Sequence, residues 1–332
     1  MAEVVLELRD VRTRFRKQDG RTVCAVDGVS FSVKKGQVFC LVGESGCGKS
    51  VTALSIMGLL PKSNAWLAGG SIRFEGQELT RLKETELAAL RGNGISMIFQ
   101  DPMTALNPVL TIGDQVAEVL ITHAALDRRA ALRQAANMLK RVGIPRAEAV
   151  LREYPHQLSG GMRQRVVIAM ALICNPNLLI ADEPTTALDV TIQAQVLALI
   201  SQMIHADGTT VILITHDMGV VSDMADMIAV MYAGQIVELA DADALFRDAR
   251  HPYTKALMSA IPFVDRERDR LYSIPGTVPD AADFPKGCRF AARCERHQAD
   301  ICDASEEIPL VEVAPGRFVR CVRARKEERG NG

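Results

Sequence analysis

Two hydrophobic patterns divide this chain. From Val4 to Val33 apolar and polar positions alternate around the turn-like Gln18-Asp19-Gly20, which predicts antiparallel strands with one buried face, and Gly70 to Phe74 predicts one more strand. Elsewhere the apolar residues run together. Val38 to Val42, Ile95 to Gln100, Leu178 to Glu183 and Val211 to His216 are short apolar runs that lead into polar residues, the pattern of buried parallel strands with chemistry at their C-terminal ends. Helical spacing follows at Val51 to Leu60, at Ile112 to Val142 with Pro145 and Pro155 breaking it, at Met162 to Cys174, and at Val190 to His205, read as a crossover helix. The pattern is that of an α/β protein with an antiparallel β part and a mostly helical insertion at about 101–175. After His251-Pro252-Tyr253 the density of Pro, Asp and Arg rises, and a cysteine-bearing tail begins near Gly276. No internal repeat is visible.

Composition narrows the class. A chain of 332 residues with 48% hydrophobic content has room for one large domain and something smaller. Lys+Arg 39 against Asp+Glu 40 leaves a formal net charge of −1, so no basic field points to nucleic acid. Met1-Ala2-Glu3 does not open a secretory signal, and the longest apolar run, Val166 to Cys174, is far too short to span a bilayer. The expectation is a cytosolic chain or a peripheral partner of membrane subunits. Cys24, Cys40, Cys47 and Cys174 stand singly in apolar or glycine contexts and read as small buried residues. Cys288, Cys294, Cys302 and Cys321 cluster in the tail, and in a reducing compartment four clustered thiols point to metal ligation before cross-links.

Candidate chemistry begins at Gly43-Glu44-Ser45-Gly46-Cys47-Gly48-Lys49-Ser50, between a strand and a helix. Glycines let backbone amides wrap phosphates, Lys49 brings charge to the β- and γ-phosphates, and Ser50 offers a hydroxyl to Mg²⁺. Asp182 and Glu183 end a buried strand together, supplying a magnesium partner in Asp182 and a base that polarises water in Glu183. Gln100, also at a strand end, is an uncharged sensor able to touch a metal-bound water and a γ-phosphate. His216 is placed to contact the γ-phosphate. Leu158-Ser159-Gly160-Gly161-Met162 opens a further helix with a hydroxyl and bare amides, a second anion site in one chain.

In this order and spacing the phosphate loop, Gln100, Leu158 to Met162, Asp182-Glu183, Ala187-Leu188-Asp189 and His216 resemble the ATPase subunit of an ABC transporter. The resemblance implies a P-loop NTPase fold with a RecA-like core, an antiparallel β subdomain and a helical subdomain, and an ATPase that works as a head-to-tail pair. Ser159, Gly160, Gly161 and Met162 would then meet the ATP held by a partner, and Asp189 would lie in the loop crossing the interface. Phe15 matches the aromatic placed against adenine, and residues 43–51, ending in Val51 where a second hydroxyl is common, would hold the chain's own ATP with Mg²⁺.

A narrower resemblance, to the dipeptide and oligopeptide importers, rests on Gln100-Asp101-Pro102-Met103-Thr104-Ala105-Leu106-Asn107-Pro108, on Tyr154-Pro155-His156-Gln157 before the second glycine motif, and on His251-Pro252-Tyr253-Thr254. It implies an ATPase domain over residues 1–250 and a C-terminal extension over 251–332. It also implies two transmembrane permease subunits, a second and non-identical ATPase, and an extracytoplasmic peptide-binding protein reached indirectly, with this chain on the cytoplasmic face of the membrane and no nucleic acid partner. Related importers carry nickel complexes or glutathione, and a soluble ABC ATPase acting on nucleic acid or ribosomes is the rival class. For the four tail cysteines the resemblance implies a [4Fe-4S] cluster. Their own spacing lacks the close pairs usual in structural zinc sites, whereas iron–sulfur spacings vary widely; zinc and four reduced cysteines in a small packed tail are the alternatives.

Overall fold

The computed structural model describes residues 3–185, 189–260, 274–303, 305 and 307–324, which divide into two compact units. One gathers the described residues within Leu6–Ser32, Val38–Thr80 and Ile214–Gly332, and the other those within Met1–Val5, Val33–Gln37 and Arg81–Leu213.

In the first unit an antiparallel sheet runs in the order Thr22–Lys34, Val4–Arg16, Ala65–Phe74, Gln77–Glu78. Alternation sets its buried face over parts of the strands, where Leu6 and Leu8, Val11 and Thr13, and Val29 and Phe31 are inside. The strand Ala65–Phe74 begins earlier than Gly70 because Ala65, Trp66 and Leu67 pair with Phe15, Arg14 and Thr13. Val38–Val42, buried at all five positions, lies parallel to Met227–Tyr232 with Phe39 opposite Met227. The chain then turns through Ala233 (φ 47°) and Gly234 (φ 83°), two left-handed residues that suit a tight hairpin. The strand Gln235–Asp241 returns antiparallel, followed across the sheet by Arg317–Val319 and Val311–Ala314. These last four strands escape the sequence reading, because their apolar runs carry no polar motif at the end.

In the second unit Ile95–Ile98 is parallel to Leu178–Asp182, with the strand that begins at Thr210 next in order. The helical stretch expected from Ile112 to Val142 is two helices, Ile112–Ala124 and Arg128–Arg141. Ala125 turns left-handed at φ 50°, and Asp127 starts the second helix by accepting the Ala130 N–H. Ala117, Leu120 and Ala131 join the two, with Leu126, Ile173 and Cys174 packed beside them. The helices Gly160–Leu172 and Val190–Asp207 follow. Among the described residues no helix is long and apolar enough to cross a membrane.

Candidate active site

The strand Val38–Val42 delivers the chain into the first glycine loop, where packing leaves no alternative to glycine at two positions. A Cβ on Gly43 would lie 2.2 Å from the Met231 carbonyl oxygen, and one on Gly48, at φ 108°, 2.5 Å from that of Ala25. Gly48 starts the helix Lys49–Met57 with no side-chain cap, so the first-turn amides keep the anion-attracting character of a bare helix end. Lys49 is buried, and its ammonium donates to the carbonyl oxygens of Gly43 at 2.8 Å and Glu44 at 3.0 Å. The loop is thus held in its curve by the cation that is expected to meet phosphate.

Ser45 and Gly46 stand exposed at the loop's crest, while Ser50 and Val51 are half-buried. Cys47 is fully buried, and burial raises its thiol pKa. Thr52 donates to the Gly48 carbonyl at 2.9 Å; the hydroxyl missing at Val51 appears one residue later, turned into the protein. Two residues to which the sequence reading gave no role at the site touch this loop. The Glu44 N–H donates to the Tyr253 hydroxyl at 2.9 Å, and the Glu44 carboxylate pairs with Arg293 at 3.0 Å. Phe15 is half-buried, opposite Ala65 in the antiparallel sheet. His216 is exposed just past the strand Thr210–Thr215, where Thr215 Oγ1 accepts the Asp217 N–H at 3.0 Å and Asp217 caps the next helix.

In the second unit Asp182 is buried as the last residue of its strand, and Glu183 follows at φ 45°. That left-handed backbone costs a non-glycine residue about 1–3 kcal/mol and is characteristic of functional positions. It brings the Glu183 carboxylate to the amide of Gln100, whose Nε2 donates to Oε2 at 3.0 Å. Two strand ends 83 residues apart in sequence therefore meet through the base and the sensor assigned from residue chemistry alone.

The second glycine motif is built differently. Ser159 is the N-cap of Gly160–Leu172 and accepts the Met162 N–H through Oγ at 3.3 Å. Ser159 and Gly160 are exposed, and a Cβ on Gly160 would meet nothing within 4 Å. On Gly161 it would stand 2.9 Å from Ile192 Cγ2, so this second glycine is required by packing. Asp189 is exposed and caps Val190–Asp207 by accepting the Ile192 N–H at 3.0 Å. Ala187 and Leu188, which precede it in the motif, lie outside the described residues.

The tail requires a correction. Cys302 is buried and Cys288, Cys294 and Cys321 are half-buried. Burial pushes the Cys288 thiol up to about 12, with Cys321, Cys294 and Cys302 adding to the effect, and burial raises Cys294 as well. Yet among the described residues no group of three or more His, Cys, Asp or Glu side chains is gathered to hold a metal ion. Zinc and an iron–sulfur cluster alike need cysteine sulfurs gathered at one site, and among the described residues that gathering, expected of Cys288, Cys294, Cys302 and Cys321, is not found. Of the single cysteines, Cys40 and Cys47 are buried as expected, whereas Cys24 and Cys174 are only half-buried.

Comparison with known proteins agrees with this geometry. The ABC transporter family profile matches residues 26–186, and that of the oligopeptide/dipeptide transporter C-terminal region matches residues 237–302. The chain is 52% identical, over 96% of each chain, to the oligopeptide transport ATP-binding protein AppD of Bacillus subtilis (strain 168). It is 51% identical to the dipeptide transport ATP-binding protein DppD of the same organism, over 96% of this chain and 92% of that one. Among solved structures, the ATP-binding cassette MJ0796, a dimer bound to ADP and Pi, superposes with a TM-score of 0.63 at 30% identity, covering 71% of this chain and 98% of that one.

Proposed function

We propose that this chain, which belongs to the ABC transporter ATP-binding subunits of the oligopeptide/dipeptide importer family, hydrolyses ATP to drive import of dipeptides or oligopeptides. The enzyme class follows from membership: the chain is an ABC ATPase. The observation that carries the mechanistic reading is the Gln100–Glu183 hydrogen bond at the strand ends, in a chain that also has a complete phosphate loop. In this reading backbone amides of residues 43–51 and Lys49 would take the phosphates, Phe15 would face adenine, and Ser50, Asp182 and Gln100 would hold Mg²⁺, which would neutralise the phosphate charge. Glu183 orients and deprotonates the attacking water while Gln100 and His216 contact the γ-phosphate. Ser159, Gly160, Gly161 and Met162 meet the ATP of a second, non-identical ATPase subunit, with Asp189 in the loop that faces it.

The assembly places this chain peripherally on the cytoplasmic side of two permeases, fed by an extracytoplasmic peptide-binding protein. The loop after Gln100 supports a permease contact: Gln115 accepts the Asn107 N–H and donates to the carbonyls of Asn107 and Leu110, which holds Val109 and Leu110 exposed. The extension beyond residue 250 would carry a [4Fe-4S] cluster on Cys288, Cys294, Cys302 and Cys321. What supports this reading is the clustering of the four cysteines in the tail, three of them within the matched C-terminal region at residues 237–302. When bound, such a group would cross-link a segment poor in apolar residues.

In the assembled transporter Glu183→Gln is expected to keep ATP binding and to lower turnover by about 10²–10⁴-fold; unchanged hydrolysis would remove Glu183 from the role of base. Iron analysis and a visible spectrum after anaerobic purification test the tail. Iron with a broad brown absorption supports the cluster, and a colourless protein with stoichiometric zinc overturns it.

A further inference from the structure

Glu44, the second residue of the phosphate loop, is held from the C-terminal extension at two points. Its backbone N–H donates to the Tyr253 hydroxyl, and its two carboxylate oxygens receive Arg293 Nη1 at 3.1 and 3.0 Å. Arg293 is no mobile surface cation. Its side chain is 6% exposed, its Nε donates to the Pro275 carbonyl at 2.7 Å, and its Nη2 reaches that of Ile274. A desolvated guanidinium locked by backbone carbonyls keeps much more of its interaction energy than an exposed pair does.

Tyr253 is fixed with equal care. His251 caps the helix Pro252–Ser259, its Nδ1 accepting the Tyr253 N–H at 3.1 Å. Burial pushes this imidazole down to about 3, which keeps it neutral and able to accept. The His251 N–H in turn donates to the buried Glu238 at 2.8 Å. The Tyr253 ring packs on Tyr232 and Phe290, with centroids 4.7 and 5.3 Å away. At the other end of the same segment Arg289, next to Cys288, pairs with Asp27 and donates to the Ala233 carbonyl. The following Gly234 N–H donates to the Cys47 carbonyl at 2.9 Å. The stretch 288–294 thus grips the loop's surroundings from both ends.

We propose that Arg293 and Tyr253 are positioning residues for ATP, acting through Glu44 to hold the phosphate loop ready and to neutralise a carboxylate that would otherwise repel the triphosphate. The extension is then a structural part of the ATP site. Displacement of residues 288–294, which carry two of the tail cysteines, is transmitted to the loop through the same contacts. This inference rests on reading residues 43–50 as the ATP loop.

The test measures Mg-ATP affinity on the full-length chain and turnover in the assembled transporter. Arg293→Gln is expected to raise the ATP Kd about 10-fold while kcat at saturating ATP stays within about twofold, because the loss lies in binding. Adding Glu44→Gln removes the stranded carboxylate and should bring Kd back to within about threefold of the unaltered chain. Tyr253→Phe should raise Kd about 2- to 5-fold. A purely structural role for Arg293 would lower the melting temperature, leave the Kd of the folded fraction alone, and show no rescue by Glu44→Gln; that result overturns the proposal. Lys49→Ala separates the two levels. If it leaves ATP binding intact, the loop assignment itself fails; if it abolishes binding while the Arg293 and Tyr253 variants bind normally, only the present inference fails.

Discussion

Two helix N-termini in this chain are assigned to phosphate, and they are built in opposite ways. At Lys49–Met57 the cap is a left-handed glycine without a side chain, the cation is buried, and the loop is tied to itself and to the extension through Gly43, Glu44 and Arg293. At Gly160–Leu172 the cap is a serine already bonded to the Met162 N–H, the next residue is an exposed glycine, and the cation is absent from the motif. A loop that grips a polyanion alone has to be shaped before the ligand arrives. A surface that completes a site on another subunit has to be flat and uncharged. The difference matches the interface role proposed for the second motif, whose glycines differ: Gly161 lets the helix pack against Ile192, and a Cβ on Gly160 would meet nothing within 4 Å.

The sharpest way to break that division is Gly160→Asp. A Cβ there meets nothing within 4 Å, and a carboxylate in the first turn favours the helix by about 0.3–1 kcal/mol. Thermal unfolding of the isolated chain should therefore be unchanged or slightly raised. In the assembled transporter the same carboxylate would face the partner's γ-phosphate, and turnover should fall by about 100-fold, since like charges brought together cost several kcal/mol. Loss of turnover without loss of stability is the signature of an interface glycine. Normal turnover would mean that this helix end meets no nucleotide.

The same contrast explains which parts of the protein were legible in its sequence. Val38–Val42, Leu178–Asp182 and Thr210–Thr215 were readable because buried parallel strands are apolar throughout and end in polar residues. The break between Ile112–Ala124 and Arg128–Arg141 was not, since no Gly or Pro marks Ala125 and the only local signal is the capping Asp127. Residue chemistry named Gln100 and Glu183 without any means of showing that they touch. Arg293 was invisible for a related reason: its partner Glu44 lies 249 residues away, and an arginine in a tail rich in charge looks like solvated surface. The tail cysteines stand out as a cluster in the sequence, but their spacing could not show that among the described residues no metal-holding group forms.

Ser159 offers the smallest and most discriminating change, because its hydroxyl is claimed by two roles. As an N-cap it accepts the Met162 N–H, and as part of the second motif it would donate to the partner's ATP; one hydroxyl can do both, since it has a donor and two acceptor lone pairs. Ser159→Ala removes both functions, and should cost the isolated chain about 1 kcal/mol or less, because the 3.3 Å bond is long and the site exposed. Ser159→Asp keeps the cap and adds charge. If the serine serves only its own helix, the aspartate variant retains turnover and the alanine variant loses a little stability and nothing else. If it also serves a partner's nucleotide, the order reverses: aspartate restores the melting temperature in the isolated chain and is the more damaging of the two in the assembled transporter. Differential unfolding of the single subunit beside ATPase rates of the complex reads both quantities on the same two variants, so the cap and the ligand contact are separated at one atom.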